Sequence, residues 1–180
     1  MKNYAAFGRA FLMDVFGKYY KEKLCFVLML PQNHFLFGLI ASIVLYFEFN
    51  VSLIGCFIFL VASVVIDVDH YLYYVYRKRD WSLRKAVSWF MGKRRISMKM
   101  SREEKCGFYS GFYFLHGIEV LILVGLLGYF VWNLFYFVAA GFLFHLILDW
   151  IDQMLTSGKM SKYFVVWDYF NLRKLKFIGK

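Results

Sequence analysis

The feature that most constrains this chain is where its cations are missing. All 22 Lys and Arg of the 180 residues fall within residues 1–23, 77–105 and 159–180, so residues 24–76 and 106–158 carry none. A bilayer core needs about 20 apolar residues per helical crossing, and each cation-free stretch has room for a helical hairpin. The expectation is an all-α integral membrane protein with four transmembrane helices near residues 33–49, 52–76, 108–129 and 134–154. The composition, 61% hydrophobic and 23% aromatic, lies outside the range of a soluble domain and excludes a large catalytic domain beyond the bilayer.

The cations also set an orientation. The turns around Glu48 to Ser52 and Tyr129 to Leu134 lack Lys and Arg, whereas the three blocks hold five, eleven and six. By the positive-inside rule both termini and the central loop face the cytoplasm. One membrane domain over residues 1–180 then divides into an N-terminal segment (1–30), a bundle (33–154), a basic helical loop (77–106) and a tail (155–180). Tyr4, Phe7, Phe11, Val15 and Tyr19 share one helical face, as in an amphipathic helix lying in the interface or packed on the bundle. Pro31 either kinks a longer first helix or marks its start, with Asn33 as N-cap. The loop interleaves its cations with Trp81, Trp89 and Phe90, which suits contact with anionic lipid; a net charge of +10 also leaves nucleic acid open as a partner. Cys25, Cys56 and Cys106 are too far apart for a C-x-x-C site and read as packing residues. Arg9 and Asp14 interrupt the first apolar run, so no cleaved targeting segment is expected.

With the cations set aside, the acids and histidines of the apolar half become informative. Asp67, Asp69, Glu119, Asp149 and Asp152 lie in or at the ends of hydrophobic helices, and so do all four histidines, His34, His70, His116 and His145. Each costs several kcal/mol to bury in lipid unless paired or bound to a metal. They share a depth. Lys23 to His34 and Lys105 to His116 are 11 residues, Asp67 to Arg77 and Asp149 to Lys159 are 10, about 15 Å along a helix. They also share faces, since His145/Asp149 are i,i+4 with Asp152 at i+7, and His116/Glu119 and Asp67/His70 are i,i+3. Asp69 points away from Asp67 on a regular helix; it either holds a histidine ring or becomes a ligand where the helix unwinds.

Histidine and carboxylate without thiolate suit Zn²⁺, Mn²⁺ or Fe²⁺, and the excess of carboxylates allows two or more ions. Such centres lower the pKa of bound water to about 7 and clamp the oxygens of a phosphoester. The chain lacks the H-x-x-H-H boxes of membrane di-iron desaturases, which disfavours oxygen chemistry. A proton or ion path would continue outward, where only Glu48, Ser52 and Asn133 are polar.

The order of motifs, NHFLFGLI, IDVDHYLYY, FLHGIEVL and FHLILDW, resembles the membrane-bound metal-dependent hydrolase family, also described as LexA-binding inner-membrane-associated hydrolases. The family pattern runs His-x-x-x-Gly, Asp-x-Asp-His, Thr-His-Ser and His-x-x-x-Asp, and the likeness covers about residues 30–153. It implies an inner-membrane protein with metal ligation by His34, Asp67, His70, His116, His145 and Asp149. Departures are Gln32 and Asn33 before the first histidine, no Pro before Asp67, and Leu115-His116-Gly117 in the third motif, where Glu119 offers an additional ligand. The His-x-x-x-acid spacing also looks like that of zinc-dependent phospholipase C. The function expected is metal-dependent hydrolysis of a phosphoester of a lipid or lipid-linked substrate. Glu119, Asp152 or Asp69 would serve as base or ligand, and Arg77, Lys78 and Arg79 would hold the phosphate. The rivals are an adaptor binding protein or nucleic acid through the basic loop around a structural metal, and a divalent-metal carrier.

Overall fold

The computed structural model describes residues 31–101, 104, 108–109, 111–157, 164–172 and 176–177. The expected N-terminal interfacial helix (1–30) lies outside them. The described helices are α1 (Pro31–Phe49), α2 (Leu53–Val65), α3 (Val68–Lys78), α4 (Leu83–Lys99), α5 (Ile118–Phe130), α6 (Phe135–Ser157) and α7 (Val165–Leu172). Among the described residues the strands are β1 (Phe108–Tyr109) and β2 (Lys176–Phe177), which pair in parallel.

Local chemistry sets several boundaries. Asn50 takes the left-handed conformation (φ 51°) between α1 and α2, a region asparagine tolerates. Ser52 then caps α2 by accepting the Gly55 N–H, and Ser82 caps α4 by accepting the Lys85 N–H. Arg79 closes α3 in the left-handed region, its N–H bonded to the Val75 carbonyl.

Two expected helices differ from those observed. The continuous helix expected over residues 52–76 is interrupted at Ile66 and Asp67, where the Asp67 N–H reaches Val64 O (3.2 Å) and the His70 N–H reaches Asp67 O (3.1 Å). These i to i−3 bonds overwind the backbone locally. The helix expected over 108–129 begins only at Ile118, after a 3-10 turn at Phe114–His116. At 13 residues α5 is about 20 Å long, short of the ~30 Å bilayer core. Two helical stretches, Leu53–Lys78 and Phe135–Met154, are long and apolar enough to cross a membrane.

α6 packs against α1, α2 and α5, around a core of Ala62, Ile66, Phe142 and Leu146. Glycines bring the backbones together beside the histidines. A Cβ on Gly141, one turn before His145, would lie 2.5 Å from the Phe59 carbonyl oxygen; one on Gly38, one turn after His34, would lie 2.4 Å from Ser63 Oγ. Gly141→Ala must push α2 and α6 apart, because its obstacle is backbone. We expect it to cost about 1–3 kcal/mol of stability, read as a fall in thermal midpoint; an unchanged midpoint would show that the helices do not need this approach.

The distribution of polarity is the reverse of a soluble domain's. Phe47 (71%), Phe57 (66%) and Phe130 (75%) are widely exposed on the outside, while His34, Asp69, His145 and Asp152 are at most 2% exposed.

Candidate metal centre

Six side chains from five parts of the chain converge. His34 comes from the described start of α1, Asp67 from the α2–α3 break and His70 from the first turn of α3; His116 closes the 3-10 turn, and His145 and Asp149 sit on successive turns of α6. They form two groups able to hold a metal ion, His34/His145/Asp149 and Asp67/His70/His116, with donor atoms in each within 4.8 Å. The groups interlock. Asp67 Oδ1 of the second lies 3.5 Å from His145 Nε2 of the first, and Asp149 Oδ2 lies 3.6 Å from both His145 Nε2 and His116 Nε2. The His34 and His145 rings stack at 4.1 Å.

Tautomers follow from the partners. His145 Nδ1 is 2.8 Å from the Ser63 carbonyl, which can only accept, so Nδ1 carries a proton and, in the neutral ring, Nε2 presents a lone pair. His116 Nδ1 is 3.0 Å from Asp69 Oδ2, which aims His116 Nε2 into the cluster in the same way. His116 Nε2, His145 Nε2 and His34 Nδ1 are buried without a hydrogen-bond partner among the described residues.

The donor set fits a divalent ion. Lone pairs on His116 Nε2 and His145 Nε2 face carboxylate oxygens at 3.5–3.7 Å. Two acceptors so placed repel unless a cation lies between them. Charge-assisted hydrogen bonds to protonated histidine would close to about 2.7–2.9 Å. Two ligands bonded to one tetrahedral zinc at about 2.0–2.1 Å stand roughly 3.4 Å apart, close to the separations seen. Charge points the same way. No Lys or Arg pairs with Asp67, Asp69 or Asp149 among the described residues, although three carboxylates share this interior.

Asp69 is 1% exposed and turns its carboxylate to two of the histidines. Its Oδ1 accepts from His70 Nδ1 at 2.8 Å, while its Oδ2 accepts from His116 Nδ1 and from the Leu115 N–H at 2.9 Å. It thereby anchors the 3-10 turn and orients His116 as the carboxylate of a carboxylate–histidine–metal triad would, whereas His70 faces both Asp69 and Asp67 (3.5 Å) through the same Nδ1.

The other residues singled out in the sequence stand elsewhere. Glu119 accepts the N–H groups of Val165 (3.0 Å) and Val166 (3.2 Å) at the start of α7. Asp152, one turn past Asp149, makes a two-pronged ion pair with Arg94 at 2.9 and 3.3 Å, which joins α4 to α6. Arg77, Lys78 and Arg79 are exposed at the end of α3. Three contributors went unnoticed in the sequence. The Ser63 carbonyl and Arg94 have no local signal, whereas Tyr113, stacked on His70 at 3.8 Å, had a cue in the FYFLH run. The exposed edge of the cluster is formed by Asp67 and His70, whose side chains are 22% and 28% exposed, against 0–12% for the other four.

Comparison with protein-family models, with curated proteins and with solved structures finds no match. What the described residues show is a helical chain with two apolar helical stretches long enough to cross a membrane and two interlocked His/Asp groups able to hold metal ions.

Proposed function

We propose that this chain is a membrane-embedded, metal-dependent hydrolase that cleaves a phosphoester of a lipid or lipid-linked substrate at the cytoplasmic leaflet. The observation that carries the reading is the convergence of His34, Asp67, His70, His116, His145 and Asp149, with lone pairs facing carboxylates. The motif resemblance noted in the sequence supports the reaction class. In this reading the chain crosses the membrane four times, with both termini inside. Residues 111–117, with their 3-10 turn, are the part of the third crossing outside the α-helix, which is tolerated because the Leu115 N–H and His116 are held by Asp69 inside the protein.

An ion bound here, zinc before manganese or iron, supplies Lewis acidity and lowers the pKa of water at neutral pH. The chain's own residues do the rest. Ser63 O and Asp69 fix the ring orientations of His145 and His116. Asp67 and Asp149 each approach both groups, which suits two ions sharing ligands. His70, with Nδ1 held by Asp69 and the greatest exposure of the four histidines, is the candidate ligand at the open edge. Arg77, Lys78 and Arg79 begin seven residues beyond His70, about 10 Å along α3, and suit a phosphate head group. Glu119 and Asp152 take part in acid–base work only by releasing the partners they now hold, so we give them the duty of fastening α7 and α4.

The test is elemental analysis of the purified protein followed by a phospholipid and phosphodiester hydrolysis screen with Zn²⁺, Mn²⁺ and Fe²⁺. Stoichiometric metal and ester hydrolysis are expected. Metal without hydrolysis under any ion would favour an adaptor with a structural centre. The metal reading itself fails if no ion is bound and none raises thermal stability.

A further inference from the structure

The helix α4 is fixed by its inner face and leaves a distinctive outer one. Inward, Arg94 is clasped by Asp152, Ala86 is 2% exposed, and Lys93, 4% exposed, sits 3.5 Å over the Trp89 ring. Outward, Arg84, Arg95 and Lys99 are exposed and make no ion pair among the described residues. At 100° per residue they fall within about 60° of helical arc. Lys85 is different. It is engaged with Asp80 at 2.9 Å, and together with the Ser82 N–H it holds that carboxylate below its usual range. Exposed Leu83 (63%) and Val87 (48%) lie about 100° and 60° round the helix from Arg84, on the flank that carries Arg94, and Trp81 before the helix is 73% exposed.

Two connections place this helix at the end of a membrane-length segment. α3 ends at Lys78, the last residue of the apolar stretch Leu53–Lys78, and only four residues link it to Leu83. Fully extended they reach about 14 Å, so α4 starts close to where that stretch ends. Its C-terminal half is held by Asp152, inside the second apolar stretch, Phe135–Met154. A helix tethered at both ends beside two apolar spans, with cations flanked by Trp and aliphatic side chains, matches the chemistry of an anionic lipid surface.

We propose that α4 docks along the cytoplasmic leaflet, with Arg84, Arg95 and Lys99 on anionic lipid phosphates and Trp81, Leu83 and Val87 at the acyl boundary. This keeps the open edge of the His/Asp centre at head-group depth, since Phe90 of the same helix lies 5.5 Å from the His70 ring. The inference rests on the membrane-spanning reading and not on catalysis. Docking is read without turnover and stands even if hydrolysis is never found.

The experiment uses the full chain with Cys25→Ala, Cys56→Ala, Cys106→Ala and Gly92→Cys, the new thiol carrying an environment-sensitive fluorophore. Gly92 is exposed, and a Cβ there meets nothing within 4 Å. Nanodiscs of phosphatidylcholine alone are compared with discs containing phosphatidylglycerol. Three cations near an anionic surface shift a docked-to-undocked ratio on the order of 100-fold. Quenching by neutral acrylamide should therefore fall sharply in anionic discs, and the protection should vanish at high salt and in Arg84→Gln/Arg95→Gln/Lys99→Gln. Should the triple variant not fold, the salt titration of the parent chain decides alone, because salt-independent protection overturns the proposal. So does equal quenching in both lipids, or protection in neutral discs that appears only when an oligonucleotide or an acidic protein is added.

Discussion

His145→Ala should lower divalent-metal affinity by at least about 100-fold, because loss of a residue that merely orients a ligand already costs 10 to 100-fold. His145 lies between the two groups. Its Nε2 approaches Asp149 at 3.6 Å and Asp67 at 3.5 Å, and its ring stacks on His34. Truncation therefore damages both ion positions. A 100-fold loss of affinity removes about 2.7 kcal/mol of ion-linked stability at a fixed ion concentration. The measurement is the rise in thermal midpoint on adding Zn²⁺ to the metal-free protein, which cancels the cost of the cavity itself. Wild type should show a large rise and the variant little. An equal rise in both would remove His145 from the centre.

Much of this arrangement is legible in the residues, and the failures have physical causes. The cation-free intervals located α1 and α6 to within a few residues, since long apolar runs bounded by charge leave few alternatives. The i,i+4 pair His145/Asp149 was readable because both lie on one regular helix. The break at Ile66 and Asp67 was not, because it contains neither Gly nor Pro. It is driven by tertiary demand: Asp67 and Asp69 approach opposite nitrogens of the same ring, at 3.7 and 3.0 Å of His116 Nε2 and Nδ1. On an unbroken helix these side chains point about 160° apart.

The late start of α5 did carry a cue. Gly111 and Gly117 bracket the non-helical stretch, but its aromatic residues matched the expected helix. A Cβ on Gly117 would lie 2.2 Å from Val165 Cγ2, so this glycine lets α7 approach the site. The Ser63 carbonyl was beyond any reading of residue types, since every residue carries the same backbone acceptor. Arg94 and Asp152 are separated by 58 positions and announce their pairing only when the fold joins α4 to α6.

Asp69 is the position where a change of one heavy atom should have the widest effect. Its carboxylate accepts three donors, from His70 Nδ1, His116 Nδ1 and the Leu115 N–H. Asp69→Asn keeps the size but offers one accepting oxygen, with a donating NH₂ in place of the other. Whichever way the amide turns, at least one histidine then faces a donor and must rotate or move its proton from Nδ1 to Nε2. A proton on Nε2 of His116 blocks the lone pair that faces Asp67 and Asp149. We expect metal affinity to fall 10 to 100-fold, without loss of the helical fold. Asp69→Ala should do worse, leaving the buried His116 Nδ1 unpaired at about 1–3 kcal/mol and two part-buried donors, His70 Nδ1 and the Leu115 N–H, without their acceptor. Glu119→Gln is the control, because its contacts are the two N–H groups of α7 and its amide oxygen can keep one. It should retain bound metal. Histidine NMR resolves the cause, since loss of orientation predicts a change of His116 or His70 tautomer in the metal-free Asn variant. If that variant binds metal at wild-type affinity with both tautomers unchanged, Asp69 does not position the ligands.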